Sequence, residues 1–312
     1  MRTINKEKII ANCGHVVVLK GGDSAEREIS LLSGEAVYQE LLGLGVNVSV
    51  LDVSDTVVAD LENLKPDLAL IMLHGPGGED GTIQGLLEFM KIPYTGSGVL
   101  ASALAMDKVK SKLIWQRLGL NATDFVMLSE ATDWQTVIDD FEVAVVKPVN
   151  GGSSLGIAIV NDAASLQKQF EMAGGFDSKV MAEKCIIGRE FTVGVIDDLL
   201  LPPVEMRTSR EFYDFDAKYA DSDVEVICPA QLSEKEQIEL NELARAAYSS
   251  LGCEGLARVD VMQDHGGAFY LLELNTIPGM TDHSFVPLAA KQAGINFGDL
   301  LLIVLELEQA AN

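Results

Sequence analysis

The stretch from Ala257 to Asn275 constrains this chain more than any other. It runs Ala-Arg-Val-Asp-Val-Met, passes through Gly266-Gly267, and returns as Phe-Tyr-Leu-Leu-Glu-Leu-Asn. Apolar and polar residues alternating on both sides of a glycine pair predict a β-hairpin. With Gly266-Gly267 as a two-residue tip, Asp260 falls directly opposite Glu273. The two-residue period of a strand adds Arg258 and Asn275 to the same face. Carboxylates about 5 Å apart among apolar neighbours repel each other and favour protonation unless a cation lies between them. Oxygen ligands without histidine or cysteine suit Mg2+ or Mn2+ rather than zinc. The same alternation also describes a half-exposed hairpin with a polar solvent face, in which Arg258 simply neutralises Asp260.

At 312 residues the chain is long enough for two or three domains. The first part alternates strands and helices: Val16 to Leu19, a helix from about Ser24 to Leu42, Val48 to Val53, Leu68 to Leu73, and a helix near Thr82 to Met90. Such alternation predicts a parallel sheet wrapped by helices. Asp23 followed by Glu26 resembles a capping box starting the first of these helices. A second part opens with a helix over Lys108 to Leu118. It continues with strands at Val143 to Lys147 and Ile157 to Val160, a helix near Ala163 to Phe170, and a strand at Val180 to Cys185. The third part has strands at 191–196 and 199–206, a polar stretch from Arg207 to Asp223, a helix from Ser233 with a capping box to Glu236 and an end at Gly252, the hairpin, and closing helices. Tyr213, Phe215 and Tyr219 in the polar stretch favour a lid over a solvated linker.

Three further segments carry chemical character. Lys147-Pro148 leads into Val149-Asn150-Gly151-Gly152-Ser153-Ser154-Leu155-Gly156, where backbone N–H groups can approach phosphate closely. The lysine precedes this loop and a strand follows it, so it is not a Walker A motif, and a flexible surface hairpin fits the same residues. Val180 to Ile186 has the form of a strand edge whose backbone could read an adenine edge. His74-Gly75-Pro76-Gly77-Gly78-Glu79-Asp80-Gly81 follows a strand, where open α/β sheets bind ligands, although a structural glycine turn reads the same way.

Composition removes several classes of function. The apolar runs, such as Val16 to Leu19 and Leu300 to Leu305, are far shorter than the ~18 residues of a membrane span. The first dozen residues lack the apolar core of a secretory signal, so a cytosolic protein is expected. A formal charge of −24 without a basic cluster argues against nucleic acid. Cys13, Cys185, Cys228 and Cys253 are too scattered for a zinc site or a disulfide framework. A third spaced glycine after Gly21-Gly22 is missing, which disfavours a dinucleotide fingerprint.

Taken in order, these segments resemble the ATP-grasp superfamily and, within it, the D-alanine:D-alanine ligases of peptidoglycan synthesis. The carrying blocks are Gly21 to Glu28, His74 to Gly81, Tyr94 to Gly98, Lys147 to Gly156, Phe212 to Tyr219, Arg258 to Asp260, and Glu273 to Met280. The resemblance implies a mixed α/β and α+β chain with the ATP-grasp fold. Residues 1–107 would be an N-terminal Rossmann-like domain with a parallel sheet, with 1–14 a flexible arm. Residues 108–187 would form a small central α+β domain with the flap, and 188–312 a C-terminal α+β domain with a mostly antiparallel sheet and a lid at 205–223.

The resemblance also assigns roles. Lys108 and Lys147 would contact phosphates under the flap residues Gly152 and Ser154. Glu183, Lys184 and Ile186 would form the adenine hinge, and Glu190 would bind the ribose. Asp260, Glu273 and Asn275 would hold two Mg2+ ions, with Mn2+ as a substitute. Glu26, with Ser153 and Tyr219, would bind the first substrate's ammonium group. Arg258 and the Gly279 N–H would stabilise an oxyanion, Lys218 would bind the transferring phosphate, and His74, Ser284 and Phe285 would line the amino-acid sites. Pro76 stands where many relatives carry a basic residue and Phe285 where leucine is usual. Tyr219 favours D-alanine over D-lactate. The implied substrates are ATP and D-alanine, and a homodimer is expected. Another carboxylate–amine ligase of the superfamily would keep the hairpin and flap but not require Glu26 or Tyr219, whereas a nucleotide-binding module without chemistry would lose metal ligands or lid residues, none of which is missing.

Overall fold

The computed structural model describes residues 4–152, 156–208, 224–281 and 283–311. Three sheets organise them. The first joins β1 (Val16–Gly21), β2 (Val48–Val53) and β3 (Leu68–Ile71) in the order β2-β1-β3, all parallel. Val16 to Leu19 of β1 and all of β3 are buried on both faces, as the unbroken apolar runs require, while the edge strand β2 buries only Leu51 fully. The second orders β4 (Phe125–Met127), β7 (Val180–Lys184), β5 (Ala144–Pro148) and β6 (Ala158–Val160) antiparallel. The third runs β11 (Val224–Ile227), β10 (Val204–Thr208), β8 (Gly188–Ile196), β12 (Leu256–Asp264) and β13 (Phe269–Asn275), with β9 (Leu199–Leu200) paired to β8. The expected strand over 199–206 is thus two pieces, separated by Pro202-Pro203, which cannot donate to a ladder.

Two N-terminal expectations need correction. Residues 1–14 are not simply an arm: Lys6–Asn12 form helix α1, capped by Asn5, and Ile9 is buried. Its Lys6 pairs with Asp299 at 2.5 Å, tying it to a C-terminal helix. The Asp23/Glu26 capping box is not formed either. Helix α2 spans Arg27–Gly43, and Glu26 sits at its N-cap without a side-chain cap bond. Ser24 organises this corner instead, accepting from the Glu26 N–H at 3.1 Å and donating to the His74 carbonyl at 2.6 Å. The capping box expected at the later helix is present: Ser233 and Glu236 bond reciprocally at the start of Glu234–Ser250.

The cores do not follow chain order. Helices α3 (Val57–Leu64) and α4 (Thr82–Met90) join α2 around the first sheet, whose apolar cluster also takes in Val286, Ala289 and Leu300 to Leu305 from the last two helices, α10 (Phe285–Gln292) and α11 (Phe297–Ala311). Helices α5 (Val99–Met106) and α6 (Lys108–Arg117) pack against the third sheet together with α9 (Glu234–Ser250). The second sheet has its own cluster beneath α7 (Trp134–Phe141) and α8 (Ala163–Ala173). Among the described residues no single helix is long and apolar enough to cross a membrane.

The hairpin pairs as expected but by a different route. Its tip has three residues, His265-Gly266-Gly267, closed by bonds between Asp264 and Ala268 and from the Gly267 N–H to the Asp264 carbonyl. Gly267 lies at φ +90°, a conformation glycine adopts without strain. This tip alone would set Leu272 opposite Asp260. A β-bulge between Asp260 and Val261 shifts the register by one residue, so that Glu273 pairs with Asp260 and Asn275 with Arg258. The bulge also changes which residues face inward: Phe269 and Leu271 are buried before it and Leu274 after it.

Helix α6 is fastened to α9 by Trp115, fully buried, whose indole N–H donates to the Ala247 carbonyl at 3.3 Å. Replacing Trp115 by alanine is expected to destabilise the chain by roughly 3–5 kcal/mol, read as a lowered urea midpoint.

Candidate active site

The face of the hairpin that carries Arg258, Asp260, Glu273 and Asn275 turns inward. Asp260 is only 7% exposed, which excludes the reading of a merely polar solvent face. Arg258 forks onto Asp260, with Nε and Nη2 donating to its two oxygens at 2.9 and 2.7 Å. Thr192, beside Asp260 on β8, donates a third bond at 2.6 Å. Glu273 meets a different cation, the Lys108 ammonium from the first turn of α6, at 3.1 Å. Lys108 also donates to the Gly151 carbonyl of the glycine loop at 2.5 Å. Burial opposes the charge on Lys108, but Glu273 together with Glu26 and Glu79 outweighs it and the ammonium is held above its ordinary range. The Asn275 Oδ1 accepts the Ile277 N–H at 3.0 Å and keeps a second lone pair.

This donor set fits a hard cation in one specific way. Two carboxylates and one amide oxygen supply oxygen ligands only. Among the described residues no three acids, histidines or cysteines gather closely enough to enclose an ion alone. Mg2+ is characteristically held in this manner, through one or two carboxylates with water and substrate phosphate completing its shell.

Behind this face lies a buried charge cluster. Lys147 of β5 donates to Glu183 of β7 at 2.5 Å. The second Glu183 oxygen accepts from Thr123 at 2.8 Å and pairs with Lys112 of α6 at 3.0 Å. Burial alone would raise the Glu183 carboxyl, but Lys112 and Lys147 hold it down to about 2. Its carboxylate therefore faces lysines rather than a base edge. The Lys184 and Cys185 N–H groups are bonded to Asp124 and Val143 carbonyls, and Ile186 follows beyond these bonds. Glu190 is half-buried on β8, opposite Met206 and Met262.

The first sheet contributes the opposite wall. Glu26 lies just past β1, between Gly75 and the glycine loop. A Cβ at Gly152 would collide with the Glu26 carboxylate, so the loop approaches this closely only because residue 152 is glycine. His74 is buried, which lowers its imidazole to about 4, so it is neutral near pH 7. Its Nε2 lies 3.2 Å from Ser33 Oγ, and that hydroxyl also accepts the Met280 N–H at 3.2 Å. Together they hold the turn containing Gly279 against the first sheet. Ser284 closes the same turn by accepting the Thr281 N–H at 3.0 Å. Phe285 opens α10 and packs against the first core, and Pro76 is exposed. Ser153, Ser154, Lys218 and Tyr219 lie outside the described residues, as does the expected lid from 209 onward, whereas its first residues, 205–208, belong to β10 and pair with β11.

Sequence reasoning missed Glu79, Thr123, Ser33 and Lys112. For Lys112 a signal existed: Lys108, Ser111, Lys112 and Trp115 share one helical face and all are buried, so two lysines stand on the stripe that an ordinary helix fills with apolar residues.

Known proteins resemble this chain along most of its length. Residues 114–306 match the family model described as D-ala D-ala ligase C-terminus, and residues 52–97 match D-ala D-ala ligase N-terminus. The chain is 48% identical over 296 residues to a D-alanine--D-alanine ligase of Saccharophagus degradans, covering 95% of this chain and 94% of that one. The structure of a D-alanine--D-alanine ligase from Bacillus anthracis complexed with ATP superposes with a TM-score of 0.84 at 32% identity, over 96% of this chain and 98% of that one. The VanG D-Ala:D-Ser ligase from Enterococcus faecalis superposes at 0.79 with 27% identity, over 95% of this chain and all of that one.

Glu79 yields a pH prediction. Its carboxyl is buried and accepts the Gly75 N–H at 2.7 Å, and burial, reinforced by Glu26, pushes it from 4.5 up to about 8. Between those values the unfolded chain releases this proton while the folded chain retains it, so this group lowers stability as pH rises. A Glu79→Gln variant, which keeps the acceptor oxygen, should lose less thermal stability than the wild type between pH 5 and 8, as melting curves at both pH values would show.

Proposed function

Because this chain belongs to the D-alanine--D-alanine ligase family, we propose that it joins two D-alanine molecules at the expense of ATP, supplying D-alanyl-D-alanine for peptidoglycan. The observation that carries this reading is the buried pairing of Asp260 with Glu273, each beside its own cation, within reach of the glycine loop through Lys108. A module that only bound nucleotide would have no use for Glu26 and a neutral His74 on the opposite wall.

The reaction has two displacements. The first D-alanine carboxylate attacks the γ-phosphorus of ATP, the bond to ADP breaks, and a D-alanyl phosphate forms. The second D-alanine, its ammonium having lost a proton, attacks the acyl carbon, and phosphate leaves. In this reading Lys108, Lys147, Gly152 and Ser154 hold the phosphates, the backbone from Glu183 to Ile186 holds the adenine with Lys184 beside it, and Glu190 holds the ribose. Asp260, Glu273 and Asn275 would hold two Mg2+ ions, or Mn2+, which when bound neutralise charge on the phosphates. Arg258 and Lys108 would then give up part of their hold on the acids and turn to the substrate.

Glu26, with Ser153 and Tyr219, anchors the first ammonium group. Arg258 and the Gly279 N–H face the oxyanion of the second step, where fixed donors act without reorganising. Lys218 approaches the transferring phosphate. His74 lines the first amino-acid site, and Ser284 and Phe285 lie at the second. The three-domain division at 107 and 187 belongs to the same reading, with α5, α6 and the last helices crossing between cores. A cytosolic homodimer is part of it too, and the exposed Phe89 and Leu100 side chains of α4 and α5 offer an apolar contact for a second copy.

The direct test measures phosphate release from ATP with D-alanine, L-alanine, D-serine or D-lactate supplied in turn. Release that depends on D-alanine and yields D-alanyl-D-alanine is expected, and equal release with L-alanine would refute the substrate assignment. Changing Glu273 to glutamine should abolish Mg2+-dependent turnover while leaving circular dichroism unchanged. Full turnover in that variant would remove Glu273 from the metal site.

A further inference from the structure

The charged side chain of Lys112 is fully buried, with no exposed surface, and the mechanism above gives it no task. It touches two strands and the loop before β4. Its ammonium donates to Thr123 Oγ1 at 2.5 Å, to the Leu271 carbonyl of β13 at 3.2 Å, and pairs with Glu183 of β7 at 3.0 Å. Leu271 stands two residues before Glu273, and Glu183 holds Lys147. One side chain thus links the strand that steadies a phosphate-contacting lysine to the strand that carries a metal-binding acid.

The charges around it do not cancel. Lys108 and Glu273 form one neutral pair, and Lys147 with Glu183 forms another. Lys112 is the surplus cation. A Lys147–Glu183 pair alone would have little net attraction for an anion, because a salt bridge at 2.5 Å neutralises the lysine it fixes. With Lys112 sharing the same carboxylate, the trio keeps one positive charge in a site from which water is largely excluded. An unbalanced buried cation is unfavourable until an anion arrives.

We propose that Lys112 is a positioning residue for nucleotide binding: it shares Glu183 with Lys147, so that Lys147 is oriented without being neutralised, and it spaces β7 from β13. The anion that completes the cluster is a nucleotide phosphate, and this rests on the reading that Lys147 contacts ATP. The pull of burial on Lys112, which brings its ammonium down to about 8, agrees with a site short of one anion.

The test compares steady-state kinetics of the full chain with those of Lys112→Met, Lys112→Gln and the double variant Lys112→Met/Glu183→Gln. Lys112→Met leaves the Lys147–Glu183 pair neutral, and the KM for ATP should rise roughly ten- to a hundredfold, the range of one lost charge-assisted interaction. The KM for D-alanine should change little. The double variant restores the surplus charge and should recover much of the ATP affinity, which a merely structural lysine would not allow. Lys112→Gln keeps hydrogen-bonding capacity without charge, so it should fold and still show the raised KM for ATP. Unchanged KM for ATP in folded Lys112→Gln, or no recovery in the double variant, overturns the inference. Absence of D-alanine-dependent turnover in the wild type would instead overturn the ligase reading.

Discussion

Asp260 directly opposite Glu273 is the constraint around which the rest of the chain is arranged. Two acids at facing positions of a hairpin, one of them almost fully buried, do not ionise together unless positive charge is brought to both. The fold brings it from two directions. Arg258 comes from the same strand as Asp260, and Lys108 comes from α6, which must therefore lie against β13. Trp115, seven residues along the same helix, supplies that packing by burying its ring beneath α9. The place of Lys108, and through it the Gly151 end of the glycine loop, thus follows from a requirement set in the hairpin.

From there the site grows outward by shared partners. Lys112, one turn past Lys108, reaches Glu183, which reaches Lys147, so a chain of buried charges links the second and third sheets. The first sheet joins through polar groups as well. Ser24 binds the His74 carbonyl, Ser33 links the His74 ring to Met280, and Glu26 fits against the glycine at 152. Glu26 and His74 stand beyond the carboxyl ends of β1 and β3, where an open parallel sheet leaves a crevice.

Much of this was legible in the sequence, and where it was not the reason is physical. The parallel sheet, helix α4 and the capping box at Ser233 follow from local pattern alone. The pairing of Asp260 with Glu273 was read correctly from an incorrect turn, because the three-residue tip and the bulge displace the register in opposite directions and cancel. Strand β4, of three residues, and helix α7 are too short to announce themselves by periodicity. Helix α1 was missed because its stability comes from Ile9 and from the contact with α11, which lies almost three hundred residues away. Lys112 was missed because lysine in a helix is ordinarily read as a solvent-facing residue, and only its partners explain its burial.

The electrostatics of the whole chain and of its site pull in opposite directions. A net charge of −24 repels an anionic nucleotide, yet at physiological salt that repulsion is screened beyond about 8 Å. Inside the cleft the nearest charges decide. Lys108, Lys112 and Lys147 are all buried there, within a low-dielectric interior that strengthens their attraction and leaves little mobile salt to weaken it. An acidic surface and a cationic interior are therefore compatible. The surface charge bears on solubility and on which macromolecules stay away, while inside the cleft Lys108, Lys112 and Lys147 share, among the described residues, only Glu183 and the half-buried Glu273 as ion-pair partners.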